Sequence, residues 1–162
     1  MRDSLLVPMD PEEISDAVVA RLEERYRARV PLLPHAREAV EAAAERWRVG
    51  LASSANRPLI DLVLGQTGLA SMIRVTVSSE EVGRGKPAPD VYLEAARLLD
   101  AAPRSCAAIE DSPNGVRSAG AAGMRVVAVP QPDMPLSPDL IGLAEVELDS
   151  LRGLVGALEA LA

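Results

Sequence analysis

The sequence predicts an α/β protein, a Rossmann-like parallel sheet with helices on both faces, on three observations. Short apolar runs alternate with longer stretches of helical periodicity through most of the 162 residues, the pattern of parallel strands joined by helical crossovers. Nearly half the chain is apolar, yet it holds no phenylalanine, one tryptophan and two tyrosines, so the core must be built from Leu, Val, Ala and Ile. Finally, hydroxyls, a lysine and an acidic pair fall at or just after the carboxyl ends of apolar runs, the edge where open parallel sheets bind ligands.

The elements follow in order. Asp10-Pro11-Glu12-Glu13 supplies an N-cap, a proline at the first helical position and acidic residues in the first turn. A helix is therefore predicted from there to about Ala28. Val30-Pro31-Leu32-Leu33-Pro34 breaks it, and a second helix over 36–46 leads into a strand over 49–53. Then come helix 57–66, strand 73–78, helix 89–99, strand 106–110, helix 114–122 and strand 125–129. A short strand near Val146 and a helix from Leu151 close the chain, while Pro130 to Pro138 reads as a surface loop. There is no internal repeat and no low-complexity linker.

Composition narrows the function classes. At 17.1 kDa the chain is long enough for one domain with a real core. Its formal charge of −7, its pI near 4.8 and its scattered arginines argue against nucleic acid or an anionic membrane as partner. The single cysteine, Cys106, excludes an intramolecular disulfide and reads as a buried strand thiol. His35, the only histidine, follows Pro34 at a helix start and reads as solvated. No apolar run reaches membrane-spanning length and no signal segment is recognisable, so a cytoplasmic protein is expected.

Lys86 is the only lysine beside sixteen arginines, and it sits in the rigid turn Gly85-Lys86-Pro87-Ala88-Pro89-Asp90. Lysine is a compact point charge that reaches between a carboxylate and a phosphate where a guanidinium fork does not fit. Ser53, Ser54 and Asn56 follow one apolar strand, and Glu110-Asp111-Ser112-Pro113-Asn114-Gly115 follows another. A Walker phosphate loop is excluded because Pro87, which lacks an N–H, stands where that loop needs Ser or Thr. A phosphoacceptor receiver domain is excluded by order, since its acids come first and its lysine late.

Ser53, Gly85-Lys86-Pro87-Ala88-Pro89-Asp90 and Ile109-Glu110-Asp111-Ser112 with Gly115, in this order and spacing, resemble the haloacid dehalogenase superfamily. Within it they are most similar to the phosphoglycolate phosphatase and β-phosphoglucomutase branch, over residues 31 to 152. The resemblance implies phosphoryl transfer from a small metabolite, a sugar phosphate or phosphoglycolate, through an aspartyl-phosphate under a helical cap. It implies that Ser53, Ser54, Asn56 and Lys86 hold phosphate oxygens and that Lys86 also neutralises the nucleophile. Glu110 and Asp111 would place Mg²⁺, directly or through water. Residues 1–30 would be the remnant of the cap and 31–162 an α/β core.

One motif of that family does not match. Its nucleophile is an aspartate ending an early apolar strand, and none of the ten aspartates here fits that pattern. The nearest approach, Leu5-Leu6-Val7-Pro8-Met9-Asp10, is broken by Pro8, and Asp10 is better explained as a helix cap. The resemblance therefore implies a core lacking its first strand, with unpaired edges on the strands ending at Ser53 and Glu110. Such a chain is expected to be inactive unless complemented and to be prone to self-association. The alternative is a non-catalytic phosphate- or metal-binding or assembly protein.

Overall fold

A computed structural model describes residues 10–162; of the stretch from Leu5 to Asp10, only Asp10 lies within it. The Asp10 N–H donates to Glu13 Oε2 at 3.2 Å, and its carbonyl accepts from the N–H of Ile14 at 3.0 Å. Both contacts place it at a helix start.

The elements are α1 (Pro11–Ala28), α2 (Ala36–Ala44), β1 (Val49–Ser53), α3 (Arg57–Thr67), β2 (Ile73–Ser78), α4 (Asp90–Leu98) and β3 (Ala107–Glu110). They continue through α5 (Pro113–Ala121), β4 (Arg125–Ala128), α6 (Pro138–Ile141), β5 (Val146–Glu147) and α7 (Leu154–Leu161). Every ladder between strands is parallel, but among the described residues they form two sheets rather than one. β1 pairs only with β2, bringing Ser53 opposite Ser78. β3 pairs with β4, bringing Glu110 opposite Ala128, and β4 with β5. The free edges of β1 and β3 face each other across a cleft.

Strand alternation explains the layers. Ala108, Val126 and Ala128 point to one face, where they meet Val91, Tyr92, Ala95, Val116 and Ala119 from α4 and α5. Val127 and Val129 point to the other, against Ala39 of α2 and Leu154 of α7. Ile60 and Leu64 of α3 gather Leu51 and Ile73 of the first sheet into a separate cluster. Ile109, in β3, is 39% exposed because nothing among the described residues covers it on the cleft side. No described helix is long and apolar enough to cross a membrane.

Three expectations are corrected. The stretch from Pro130 to Pro138 is not simply a surface loop, since Gln131 bridges Met134 and Leu136 is buried in the main core. Just beyond it α6 buries Leu140 beside it; four residues are too short to show helical periodicity. Cys106 lies just before β3 and is only partly buried, its thiol donating to the Ala102 carbonyl at 3.4 Å. Burial pushes that thiol's pKa up, which suits an unreactive group. His35 is not merely solvated, because its Nε2 accepts from Arg152 Nε at 2.9 Å.

Candidate active site

At the carboxyl ends of β1 and β3 the cleft has a volume of about 550 Å³ and is lined by Ser53, Ser54, Lys86, Glu110 and Asp111, with Leu51, Ala52 and Ile109 as its apolar floor. Five of the six residues expected from the sequence are thus brought together. Asn56 is not in the lining; its Oδ1 accepts from the N–H of Leu59 at 3.2 Å and caps α3. A second cleft, of about 620 Å³, lies at the opposite end of the strands around Trp47, Ile73 and Arg74. It brings together none of those six residues, and the carboxyl edge is where the fold concentrates polar chemistry.

The turn after β1 is held from two sides. Ser53 Oγ accepts from the N–H of Ala55 at 3.1 Å, and the fully buried Ser78 donates its hydroxyl to the Ala55 carbonyl at 2.7 Å. The register that sets Ser53 opposite Ser78 brings both to this turn.

Lys86 is held more tightly. Its loop, with a cis Lys86–Pro87 peptide, is tied to α5 by Ser118, whose buried hydroxyl donates to the Ala88 carbonyl at 2.6 Å. The Lys86 side chain is 9% exposed and that of Glu110 7%. Between them Nζ lies 2.5 Å from Glu110 Oε1. Nζ also donates to Tyr92 Oη at 3.3 Å and stands 4.7 Å from the centre of the Tyr92 ring. Tyr92 in turn donates its hydroxyl to Glu110 Oε1.

The other oxygen of Glu110 is occupied as well. Oε2 accepts from Ser112 Oγ at 3.0 Å, while Ser112 caps α5 by accepting from the N–H of Gly115 at 3.0 Å. Gly115 makes the room: a Cβ there would fall 1.8 Å from Glu110 Oε2. Burial alone would push the Glu110 carboxyl up, but the Lys86 ammonium and the hydrogen bonds from Lys86, Tyr92 and Ser112 outweigh it and hold its pKa below the ordinary value. Burial and the facing Glu110 carboxylate drive the Tyr92 hydroxyl the other way, so it stays a neutral donor.

Asp111 is half-buried in the cleft wall, and no hydrogen bond or ion pair of its carboxylate occurs among the described residues. A hard cation such as Mg²⁺ takes oxygen ligands, usually one or two carboxylates with several waters. Asp111 beside Glu110 fits that requirement in donor type and number. No group of three or more metal-ligating side chains occurs among the described residues, so water or substrate oxygens would complete the shell.

Sequence reasoning missed Tyr92, Ser112 as a clamp on Glu110, and the reason for Gly115. A signal existed for the first. Tyr92 is one of two tyrosines in a chain without phenylalanine, six residues after the sole lysine, on the apolar side of a helix.

The chain is similar to several known proteins. A family model described as haloacid dehalogenase-like hydrolase matches residues 3–123. Hexitol phosphatase B of Escherichia coli strain K12 is 38% identical over 144 residues, covering 88% of this chain and 64% of the relative. β-Phosphoglucomutase of Bacillus subtilis strain 168 is 39% identical over 98 residues, covering 60% of this chain and 42% of that enzyme. The chain thus spans less than two thirds of the length of either relative. Among solved structures, CbbY from Rhodobacter sphaeroides in complex with phosphate superposes with a TM-score of 0.81 at 26% identity, covering 95% of this chain and 70% of that one.

Proposed function

Because the chain belongs to the haloacid dehalogenase-like hydrolases, we propose that its cleft is the phosphate-handling part of a Mg²⁺-dependent phosphatase or phosphomutase acting on a small phosphate monoester, a sugar phosphate by preference. The observation that carries this reading is the buried Lys86–Glu110 pair at the carboxyl edge of the strands, opening onto a cleft shared with Ser53 and Asp111. A phosphatase relative named for hexitols and a neighbour solved with bound phosphate support it.

Each residue has a part in this proposal. Ser53 and Ser54 offer hydroxyls to phosphate oxygens, and Lys86 neutralises their charge, which is most of what phosphoryl transfer asks of a protein. Glu110, with both oxygens taken by protein donors, chiefly orients Lys86. Asp111 carries the main share of holding Mg²⁺, with Glu110 beside it. Bound there, the cation would supply further neutralisation of the phosphate charge. The nucleophilic carboxylate is proposed to come from outside the described residues. Among the described residues Asp111 is the only aspartate lining the cleft.

The test is inorganic phosphate binding by calorimetry with and without Mg²⁺, run beside hydrolysis of hexitol phosphates. Mg²⁺ should tighten phosphate binding, and Asp111→Asn should abolish that gain without weakening phosphate binding in the absence of metal. Binding without turnover would favour the non-catalytic reading for the chain alone. Absence of both would overturn the proposal.

A further inference from the structure

We propose that Tyr92 is a positioning residue for Lys86, fixing which of the three ammonium hydrogens faces the cleft; the proposal rests on the phosphate-handling reading above. An ammonium has three N–H donors and no acceptor, and a phenol has one donor and can accept. The contacts leave little freedom. One Lys86 hydrogen goes to Glu110 Oε1 at 2.5 Å and a second to Tyr92 Oη at 3.3 Å. Because Tyr92 gives its own hydrogen to Glu110, its oxygen faces Lys86 as an acceptor. One ammonium hydrogen remains, and Lys86 lines the cleft.

Three elements impose this arrangement together. Glu110 ends β3, Tyr92 stands in the first turn of α4, and Ser118 of α5 ties down the loop that carries Lys86. The Tyr92 ring face, 4.7 Å from Nζ, adds a cation–π attraction that phenylalanine would keep. Phenylalanine would also preserve the packing of a residue only 7% exposed. It would lose the acceptor that takes the second hydrogen and the donor to Glu110. Tyr92→Phe therefore separates positioning from packing.

Lys86 makes the test direct, since as the sole lysine it gives one side-chain ammonium signal when the chain is labelled with ¹⁵N-lysine. In the unmodified protein that signal should be protected from solvent exchange and show cross-relaxation to the Tyr92 ring. In Tyr92→Phe, with the amide spectrum otherwise retained, exchange should accelerate roughly tenfold and inorganic phosphate should bind several-fold to about tenfold more weakly, as for a mis-aimed charged hydrogen bond. A folded Tyr92→Phe protein with unchanged ammonium exchange and phosphate affinity, whatever its melting temperature, would overturn the proposal. If the variant does not fold, absence of protection and of the Tyr92 cross-peak in the unmodified chain overturns it instead. Should phosphate fail to bind the unmodified chain, the phosphate reading falls, while the ammonium signal still decides whether Tyr92 fixes Lys86.

Discussion

Two glycine-to-alanine substitutions in one helix, five positions apart, should have opposite effects. At Gly120 of α5 a Cβ meets nothing within 4 Å. There alanine removes the backbone entropy cost of glycine and should stabilise by up to about 1 kcal/mol. At Gly115 the same methyl would sit 1.8 Å from Glu110 Oε2 and 1.9 Å from its Cδ. A carboxylate at the end of a flexible side chain normally swings away at little cost. This one is 7% exposed and bound by Lys86, Tyr92 and Ser112, so moving it breaks all three contacts and leaves a buried ammonium unpaired. Losing one partner of a buried ion pair costs about 3–5 kcal/mol, and the helix preference of alanine returns about 1. The net loss is about 2–4 kcal/mol, a drop in melting temperature of roughly 5–15 °C for a chain of this length. Thermal and urea unfolding followed by circular dichroism, with Gly120→Ala as the control, measures both. A Gly115→Ala protein melting at or above the unmodified chain would refute the claim that Glu110 is immobile.

Two further predictions concern the same pair. Lys86→Met should destabilise by about 3–5 kcal/mol because it strands a buried carboxylate, and adding Glu110→Gln should recover part of that loss, so a urea double-mutant cycle should show clear coupling. On pH, the folded-state pKa of Glu110 lies below the ordinary value of 4.5. Its contribution is therefore complete above that value and is lost as pH falls through the lowered one. Urea midpoints taken in chelator from about pH 6 to about pH 3 should fall more steeply for the unmodified chain than for Glu110→Gln.

The fold was legible where periodicity was long and punctuated. Leu59, Leu62 and Val63 announced α3, and the apolar run ending at Glu110 announced β3. Ser53, Lys86, Glu110 and Asp111 could be found because each follows an apolar run at a sheet edge. What remained hidden depends on contacts between distant segments. Asn56 ahead of Arg57-Pro58 carried a cap signal, which the expectation of a phosphate contact passed over, whereas nothing local marks Gly115 as the hollow that receives a side chain five residues earlier. α6 escaped because four residues carry no period. The separation of the strands into two sheets was expected from the resemblance, through an unmatched motif, rather than from any property of the strands.

The divided sheet gives the Lys86–Glu110 pair a second consequence. Lys86 follows the sheet of β1 and β2, whereas Glu110 belongs to the sheet of β3, β4 and β5. With no ladder joining the two among the described residues, the pair is one of the ties between them, beside the shared core of Val77 with Ala108 and Val126 and the packing of α2 and α4 on both. A ligand that grips Lys86 as it stands in the folded chain must also stabilise that fold, by linkage between binding and folding. A rise in melting temperature with added phosphate would then report occupancy without any turnover.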